Sequence, residues 1–415
     1  MDDPLVQRYG PPRRTRRLTD DVTISTVGVV AEADGTEKRV ALVPDTVRRL
    51  GRDGYSVVVE SGAGGSAWYP DAAYVEAGAR ITSRSEVISQ ADVLVYVSAP
   101  TEEDLKALRS GQVIVGTFSP ANRLDLIAEL AAKEVTALSL DLVPRTVSRA
   151  QSLDVLTSQA SVAGYKAVLL AAAAYGRYFP MMITAAGTSR PAAVLVLGAG
   201  VAGLSALGTA RRLGAAVTGY DVRPETKTEI ESMGAKFLSV GTPIEAGGSG
   251  GYARALTPEE QKAQQDDLEQ RLSSFDIIIT AALVPGRRPP ILVSSKALAG
   301  MRTGTVVVDM ASGPQGGNVE GSEPGVEIVT DNGVTVIGAA NLPATVPTAA
   351  SDALSQNMLA AMSLLVRDGE VAVDPSDEVH AAVVVTHQGQ VVQAAIAALM
   401  TPPGEKESDE RLAAF

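Results

Sequence analysis

The segment Val194-Leu-Val-Leu-Gly198-Ala-Gly200-Val-Ala-Gly203, read together with Asp221, decides the fold of this chain. A short apolar strand leads in, and Leu204 to Leu213 reads as a helix leading out. A second strand, Ala216–Tyr220, then ends at Asp221. The spacing suits a dinucleotide-binding turn. Gly198 permits the tight bend, Gly200 lets the backbone approach a pyrophosphate, and Gly203 allows close packing of helix on strand. The helix N-terminus aims unpaired N–H groups at the phosphates. The Asp221 carboxylate can accept hydrogen bonds from ribose hydroxyls and disfavours a 2′-phosphate, so NAD(H) is the expected nucleotide. Arg223, two residues on, works against that preference. The bland alternative is a glycine-rich turn in an α/β core with no ligand.

Composition narrows the remaining classes. At 415 residues the chain has room for two domains or three. A net charge of −12 argues against nucleic-acid binding by electrostatics. The cluster Arg13-Arg14-Thr-Arg16-Arg17 is local and reads as a solvated arm. The chain has no Cys, which excludes disulfides, thiolate metal ligands and a thiol nucleophile. No metal is expected. No uninterrupted apolar run reaches the roughly 18–20 residues of a membrane span. The nearest, Val162 to Tyr178, is broken by Lys166 and Arg177 and reads as a packed helix. The N-terminus lacks the apolar core of a signal peptide, so a soluble protein without direct lipid insertion is expected.

Before the glycine turn, a βα rhythm runs from Val27, with apolar strands at Val27–Ala31, Ser56–Glu60, Val93–Val97, Val113–Phe118 and Val135–Leu140. Helical stretches such as Thr46–Arg52 and Asn122–Lys133 fall between them. Such alternation predicts a doubly wound parallel sheet. Ser152–Tyr178 reads as one long helix. The later strands are Asp276–Thr280, Val306–Asp309 and Val334–Ile337, and Thr257-Pro-Glu-Glu260 is a capping box that opens a polar helix to about Leu272. Thr348–Arg367 reads as a helix returning the chain to the first lobe. The expected architecture is α/β, with two Rossmann-like domains separated by a cleft and joined by long helices. Residues 1–22 form an N-terminal extension and 396–415 a C-terminal tail. The first domain takes 23–151 with 346–395, and the NAD(H) domain takes 152–345.

The chemistry is defined partly by what is missing. Both histidines, His380 and His387, lie in the C-terminal stretch beyond the two βα units. Oxidation of an alcohol or amine moves a proton with the hydride, usually through His or Lys. Hydride passage between two nicotinamide rings moves no proton and needs positioning side chains instead. The stretch Pro144-Arg145-Thr-Val-Ser148-Arg149-Ala-Gln151-Ser152-Leu-Asp154 supplies such a set. Gln151 can pair with a carboxamide or ribose, and an Arg and an Asp nearby can hold the loop. An ordinary loop and helix start, with Ser152 as the N-cap, fits the same residues.

Several segments in combination resemble the NAD(H)-binding component, the first portion of the alpha subunit, of proton-translocating nicotinamide nucleotide transhydrogenase. They are Arg149-Ala-Gln-Ser-Leu-Asp154 with Ala163-Gly-Tyr165, Phe179-Pro-Met-Met-Ile-Thr-Ala-Ala-Gly187 and Gly198-Ala-Gly-Val-Ala-Gly-Leu204. Asp221-Val-Arg223, Gly250-Gly-Tyr252, Ala282-Leu-Val-Pro-Gly286 and Gly316-Gly-Asn318 continue the likeness. It covers roughly residues 25 to 365 and extends, more distantly, to alanine dehydrogenase.

The resemblance implies a homodimer peripheral on the cytoplasmic face of the membrane. It would bind NAD(H) and work with membrane-spanning and NADP(H)-binding partner subunits. Hydride would pass directly between the nucleotides, coupled to proton translocation, in the proton-translocating rather than the Si-specific type of enzyme. The resemblance also assigns residues. Gln151 would hold the nicotinamide end, with Arg145 and Asp154 shaping its loop and Tyr252, beside Gly251, on a loop closing over the cofactor. Ala199, Gly200 and Val201 would lie at the pyrophosphate, and Asp221, Val222 and Arg223 at the adenosine ribose. Leu283 would line the adenine side, with Gln264 a further candidate. Thr157 stands where the family commonly has a serine. Arg145 lies one residue further from Gln151 than the family pattern, which makes Arg149 a second candidate for its role. Membrane helices that follow this component in some alpha subunits are absent, which implies a membrane portion on separate chains. Alanine dehydrogenases use a Lys and a His in the first lobe; where these would fall, this chain has Tyr96 and Ser119-Pro120. A non-catalytic NAD-binding protein with the same fold is the third reading.

Overall fold

The structure, a computed structural model of the chain, describes residues 25–240, 258–283, 288–367 and 369–401. In the first lobe, short Val-rich runs alternate with helices. The order is β1 (Thr26–Val29), α1 (Pro44–Arg52), β2 (Ser56–Glu60), α2 (Asp71–Glu76), β3 (Arg80–Thr82), α3 (Arg84–Gln90), β4 (Val93–Val95), α4 (Glu102–Ala107), β5 (Val113–Gly116), α5 (Leu124–Ala132) and β6 (Thr136–Ser139). β4, β5 and β6 are buried along their whole length, as strands in a helix-covered parallel sheet should be. Ser83 with Glu86, and Thr101 with Asp104, make reciprocal capping boxes that start α3 and α4.

The helix α6 (Val155–Ala174) leads through a hairpin, β7 (Met182–Thr184) and β8 (Gly187–Ser189), into the second lobe. There follow β9 (Ala193–Leu197), α7 (Val201–Arg212), β10 (Ala216–Tyr220), α8 (Thr226–Ser232), β11 (Lys236–Phe237), α9 (Pro258–Leu272), β12 (Ile277–Thr280), α10 (Ser295–Ala299), β13 (Val306–Asp309), β14 (Glu327–Val329) and β15 (Thr335–Gly338). The chain returns through α11 (Pro347–Leu365). It ends with the two-stranded ladder β16 (Val366–Arg367) and β17 (Glu370–Val371), then α12 (Glu378–Val383), β18 (Val384–His387), β19 (Gln390–Val391) and α13 (Ala394–Met400).

The first sheet has the order β19-β18-β6-β5-β4-β1-β2-β3 and the second β11-β10-β9-β12-β13-β15-β14. Pairing is parallel from β3 to β6 and from β11 to β15, with antiparallel strands only at the outer edges. Strand order reverses between β1 and β4 in one sheet and between β9 and β12 in the other. Open α/β sheets bind ligands at such reversals, outside the carboxyl ends of the strands. The expected α/β class with two Rossmann-like units holds.

Hydrogen bonds tie the lobes together around α6 and α11. Arg39 in the first lobe donates to Glu37 and to Gln159 of α6, while Asn341, beyond β15, donates to Glu37 at 3.0 Å. Ser351 and Ser355 of α11 accept the Val40 and Val43 amides.

Three expectations need correction. The long helix begins at Val155 rather than Ser152, because Ser148–Leu153 winds as a 3₁₀ turn and Asp154, not Ser152, caps the helix through the Thr157 amide. It ends at Ala174 rather than Tyr178, since Tyr175 is already extended. By length and composition α6 is apolar enough to cross a membrane, because its many alanines keep mean hydropathy high without one unbroken run. Its Ala167, Val168 and Ala171 nevertheless lie in the second lobe's core with Val194, Val196 and Ile277. Finally, the histidines belong to the first lobe. His380 is buried on α12, and His387 sits on β18, which pairs antiparallel to β6. The strand's buried Val384-Val385-Thr386 is too short for its strand character to declare itself in sequence.

Candidate nucleotide site between the two lobes

β9 runs straight into the glycine turn. Gly198 adopts φ +101°, and a Cβ on it would also meet the Ala281 carbonyl carbon at 2.9 Å. Gly203 packs against the turn itself with no room for a methyl group. A Cβ on Gly200 would meet nothing within 4 Å. Of these three glycines, Gly200 alone is small without a protein neighbour requiring it, and the space it leaves adjoins the start of α7, which no side chain caps. An open approach beside uncapped amides fits a pyrophosphate. Of the residues expected there, Ala199 is buried and its N–H goes to Asp221 at 2.7 Å, which leaves the first amides of α7 from Val201 onward.

Asp221 is already engaged. Its Oδ1 accepts from the Arg223 amide at 2.9 Å and from Arg223 Nε at 3.1 Å, and its Oδ2 takes Ala199 N–H and a longer bond from Arg223 Nη2. A ribose pairing with this carboxylate must displace the half-exposed Arg223 guanidinium. Val222 and Leu283 are apolar and mostly exposed, at 61% and 62%. They follow β10 and β12, the neighbours of β9 on either side.

The segment after β12 is held from below. Asn318 accepts from Ala282 N at 3.0 Å and donates to the carbonyls of Ala282 and Pro290. Asp309, fully buried, anchors Asn318 in turn by accepting the amides of Asn318 and Val319 and the Thr280 hydroxyl. The motif Gly316-Gly-Asn318 thus has a physical basis: a Cβ on Gly317 would stand 2.0 Å from an Asp309 oxygen.

In the first lobe, Gln151 is exposed on the 3₁₀ turn that precedes α6. Asp154 takes the Thr157 amide at 2.8 Å and its hydroxyl at 2.6 Å, with Arg145 Nε at 3.7 Å. Arg149 is committed elsewhere, in a two-bond pair with Asp377. Helix α6 links this turn to the glycine turn. A Cβ on Gly164 would fall 2.0 Å from the Ala202 carbonyl oxygen, which explains the motif Ala163-Gly-Tyr165.

Gly251 and Tyr252 lie outside the described residues, as does the side chain of Gln264 on α9. Tyr96 is 2% exposed and its hydroxyl has no hydrogen-bond partner, burial pushing the phenol well above its ordinary range. Ser119 is exposed, with φ +48° and its amide on Asp141. Neither is placed as a proton acceptor. Among the described residues no group of His, Asp and Glu is arranged to hold a metal ion. Sequence reasoning missed Asn357, Asp377 and the Glu37–Arg39–Gln159–Asn341 network. For Asp377 a signal existed, an N-cap residue before Glu378-Val-His380; the network joins residues some 300 positions apart and leaves no local pattern.

A glycine turn at the switch point of one lobe, joined through a shared helix to a polar turn on the other, defines a two-lobed dinucleotide-binding α/β protein. The chain belongs to the alanine dehydrogenase/PNT family: that family's N-terminal domain model matches residues 28–163 and its C-terminal domain model residues 167–394. It is 38% identical to the NAD(P) transhydrogenase subunit alpha of Haemophilus influenzae over 368 residues, covering 88% of this chain and 71% of that one. It is 39% identical to the NAD(P) transhydrogenase subunit alpha of Cereibacter sphaeroides over 370 residues, covering 88% and 70%. The solved transhydrogenase from Sinorhizobium meliloti superposes with a TM-score of 0.80 at 39% identity, covering 89% of this chain and all of that one. An L-alanine dehydrogenase structure follows at TM-score 0.73 and 27% identity, covering 90% of this chain and 98% of that one.

Proposed function

We propose that this chain is the NAD(H)-binding component of a proton-translocating NAD(P) transhydrogenase. Hydride would pass between NAD(H) held here and NADP(H) held by a partner component, coupled to proton movement through a membrane-spanning component. The observation that carries this reading is the pairing of an open glycine turn with a first-lobe wall where Tyr96 is buried and Ser119 stands in place of proton-handling side chains. Direct transfer between nicotinamides needs no proton acceptor, whereas amine oxidation does. The bound nucleotide supplies the hydride chemistry. The chain's residues bind and orient it: the α7 amides at the pyrophosphate, Asp221, Val222 and Arg223 at the adenosine ribose, Leu283 on the adenine side, and Gln151 with Arg145 and Asp154 at the nicotinamide end. Tyr252 and Gly251 would belong to a closing loop and Gln264 to the adenine side. The domain division at about residue 151, a homodimeric state, and peripheral attachment to the cytoplasmic membrane face through partner subunits belong to the same proposal.

The decisive experiment mixes the purified chain with membranes containing the partner components and follows hydride exchange between NADH and an NADP analogue. L-alanine-dependent NAD reduction is measured in parallel. Exchange without alanine oxidation supports the reading. Alanine oxidation, or NADH binding with no exchange, overturns it.

A further inference from the structure

The Gln151 turn is a poor scaffold by itself. It is a single 3₁₀ segment of six residues, Ser148–Leu153, whose bonds are short-range and less well aligned than those of an α-helix. Gln151, Ser152 and Arg149 are all exposed on it. A long amide side chain on such a turn holds no fixed orientation unless something outside the turn holds the backbone.

Two residues from the C-terminal return of the chain do so from opposite ends of the turn. At its start, Arg149 Nη1 and Nη2 donate to the two Asp377 oxygens at 2.7 and 2.9 Å, with Glu378 3.7 Å away. Asp377 is itself immobilised, because it caps α12 by accepting the Val379 and His380 amides. The Arg149 hydrogen bonds and these amides hold its carboxyl well below the usual range, so the pair stays charged. At the far end, Asn357 of α11 donates to the Ser152 carbonyl at 2.8 Å and accepts from Ser158 of α6 at 2.7 Å. Gln151 stands between these two anchors. The Arg149 pair is half-exposed on the arginine side, so it contributes little to global stability, and its value lies in orientation.

We propose that Asp377 and Asn357 are positioning residues, clamping the turn at Arg149 and Ser152 so that Gln151 is presented in one geometry. The inference rests on the proposed role of Gln151 at the nicotinamide. It assigns Arg149 to the clamp rather than to the cofactor, and it gives the segment after the NAD(H)-binding unit a role in hydride transfer. Misplacing a reacting group by about 1 Å costs up to roughly 100-fold in rate, so a loosened turn should act on transfer far more than on binding.

The test compares Asp377→Asn, which keeps an N-cap but loses the charged pair, with Arg149→Ala, Asn357→Ala and the double variant of 149 and 377. Three quantities are read in the full chain: NADH affinity by fluorescence titration, hydride exchange with the partner components, and amide hydrogen exchange at residues 149–153. Each single variant should slow transfer roughly 10-fold or more with NADH affinity within about 3-fold. Amide exchange at the turn should rise, and the double variant should be no worse than Arg149→Ala. An unchanged rate, or additive losses at 149 and 377, overturns the clamp. Weaker NADH binding in Arg149→Ala but not in Asp377→Asn returns Arg149 to the cofactor. If the wild-type chain itself transfers no hydride, the functional reading fails, and the amide exchange still decides whether the turn is clamped.

Discussion

Gly203 lies so close to Gly198 that a Cβ on Gly203 would stand 1.8 Å from the Gly198 carbonyl oxygen. Backbone cannot yield by that much without opening the turn. The third glycine is therefore demanded by the fold, whereas Gly200, with open space in front of it, is demanded only by something that approaches from outside.

The two substitutions should separate cleanly. Gly203→Ala is expected to destabilise the second lobe by about 1–3 kcal/mol, as overpacking does, and to lower the melting temperature along with NADH affinity. Gly200→Ala should leave the melting temperature nearly unchanged and weaken NADH by roughly tenfold, since its methyl group would occupy the approach to the α7 amides. Thermal melts and fluorescence titrations of both variants check this. A Gly200→Ala chain that binds NADH normally would remove the pyrophosphate from this turn.

The Asp221–Arg223 pair sets up a second expectation. Wild-type protein should prefer NADH to NADPH, because the carboxylate repels a 2′-phosphate. Arg223 blunts that preference, both by neutralising Asp221 and by offering a guanidinium to the phosphate. Arg223→Ala should therefore widen the NADH-to-NADPH affinity ratio by several-fold, chiefly by weakening NADPH. Competitive titration with the two nucleotides measures it. A narrowed ratio would show that Arg223 holds Asp221 in its NADH-binding orientation.

Much of this architecture is legible in the sequence because strands concentrate β-branched and aromatic residues between turn signals. Ser56–Glu60, Ala216–Tyr220 and Val306–Asp309 are recovered at their observed ends. The glycine turn is legible because its demands are mostly local: Gly198 needs its left-handed φ, Gly203 packs on the Gly198 carbonyl five residues back, and Gly200 keeps the approach open. What escapes is whatever depends on distant partners. Ser152 and Asp154 are equally good N-caps on paper, and only the 3₁₀ turn before α6 decides for Asp154. Arg149 could serve a cofactor until Asp377, 228 residues away, is seen to hold it.

Acid should destabilise the first lobe through Asp104. Burial works to raise its pKa, but hydrogen bonds from Arg84 and Thr101 outweigh that and hold it below the ordinary 3.8. A carboxylate lowered on folding contributes stability at pH values above its unfolded pKa and loses it as pH falls through the folded one. The melting temperature should therefore hold steady down to about pH 5 and fall below about pH 4. Asp104→Asn, which breaks a pair whose aspartate side chain is only 1% exposed, should cost about 3 kcal/mol at neutral pH and flatten the acid limb. Melting curves from neutral pH down to about pH 3 for both proteins provide the check. An equally steep acid limb in the variant would place the sensitive carboxylate elsewhere.

Asn318 offers the sharpest test of how the segment after β12 is held. Its side chain is fully buried and uses both ends, accepting from Ala282 N–H and donating to two carbonyls, those of Ala282 and Pro290. Asn318→Ala removes the side chain and leaves three backbone groups without partners, at about 1–3 kcal/mol for each that water cannot reach. The segment carrying Leu283 should loosen and NADH affinity fall. Asn318→Asp is nearly isosteric yet should be worse. It turns the two donated bonds into oxygen–oxygen repulsions and buries a second carboxylate beside Asp309, whose oxygens already accept the Asn318 and Val319 amides. The expected order of both melting temperature and NADH affinity is wild type, then Ala, then Asp. An aspartate variant that matches wild type would mean that the loop after β12 does not depend on this side chain.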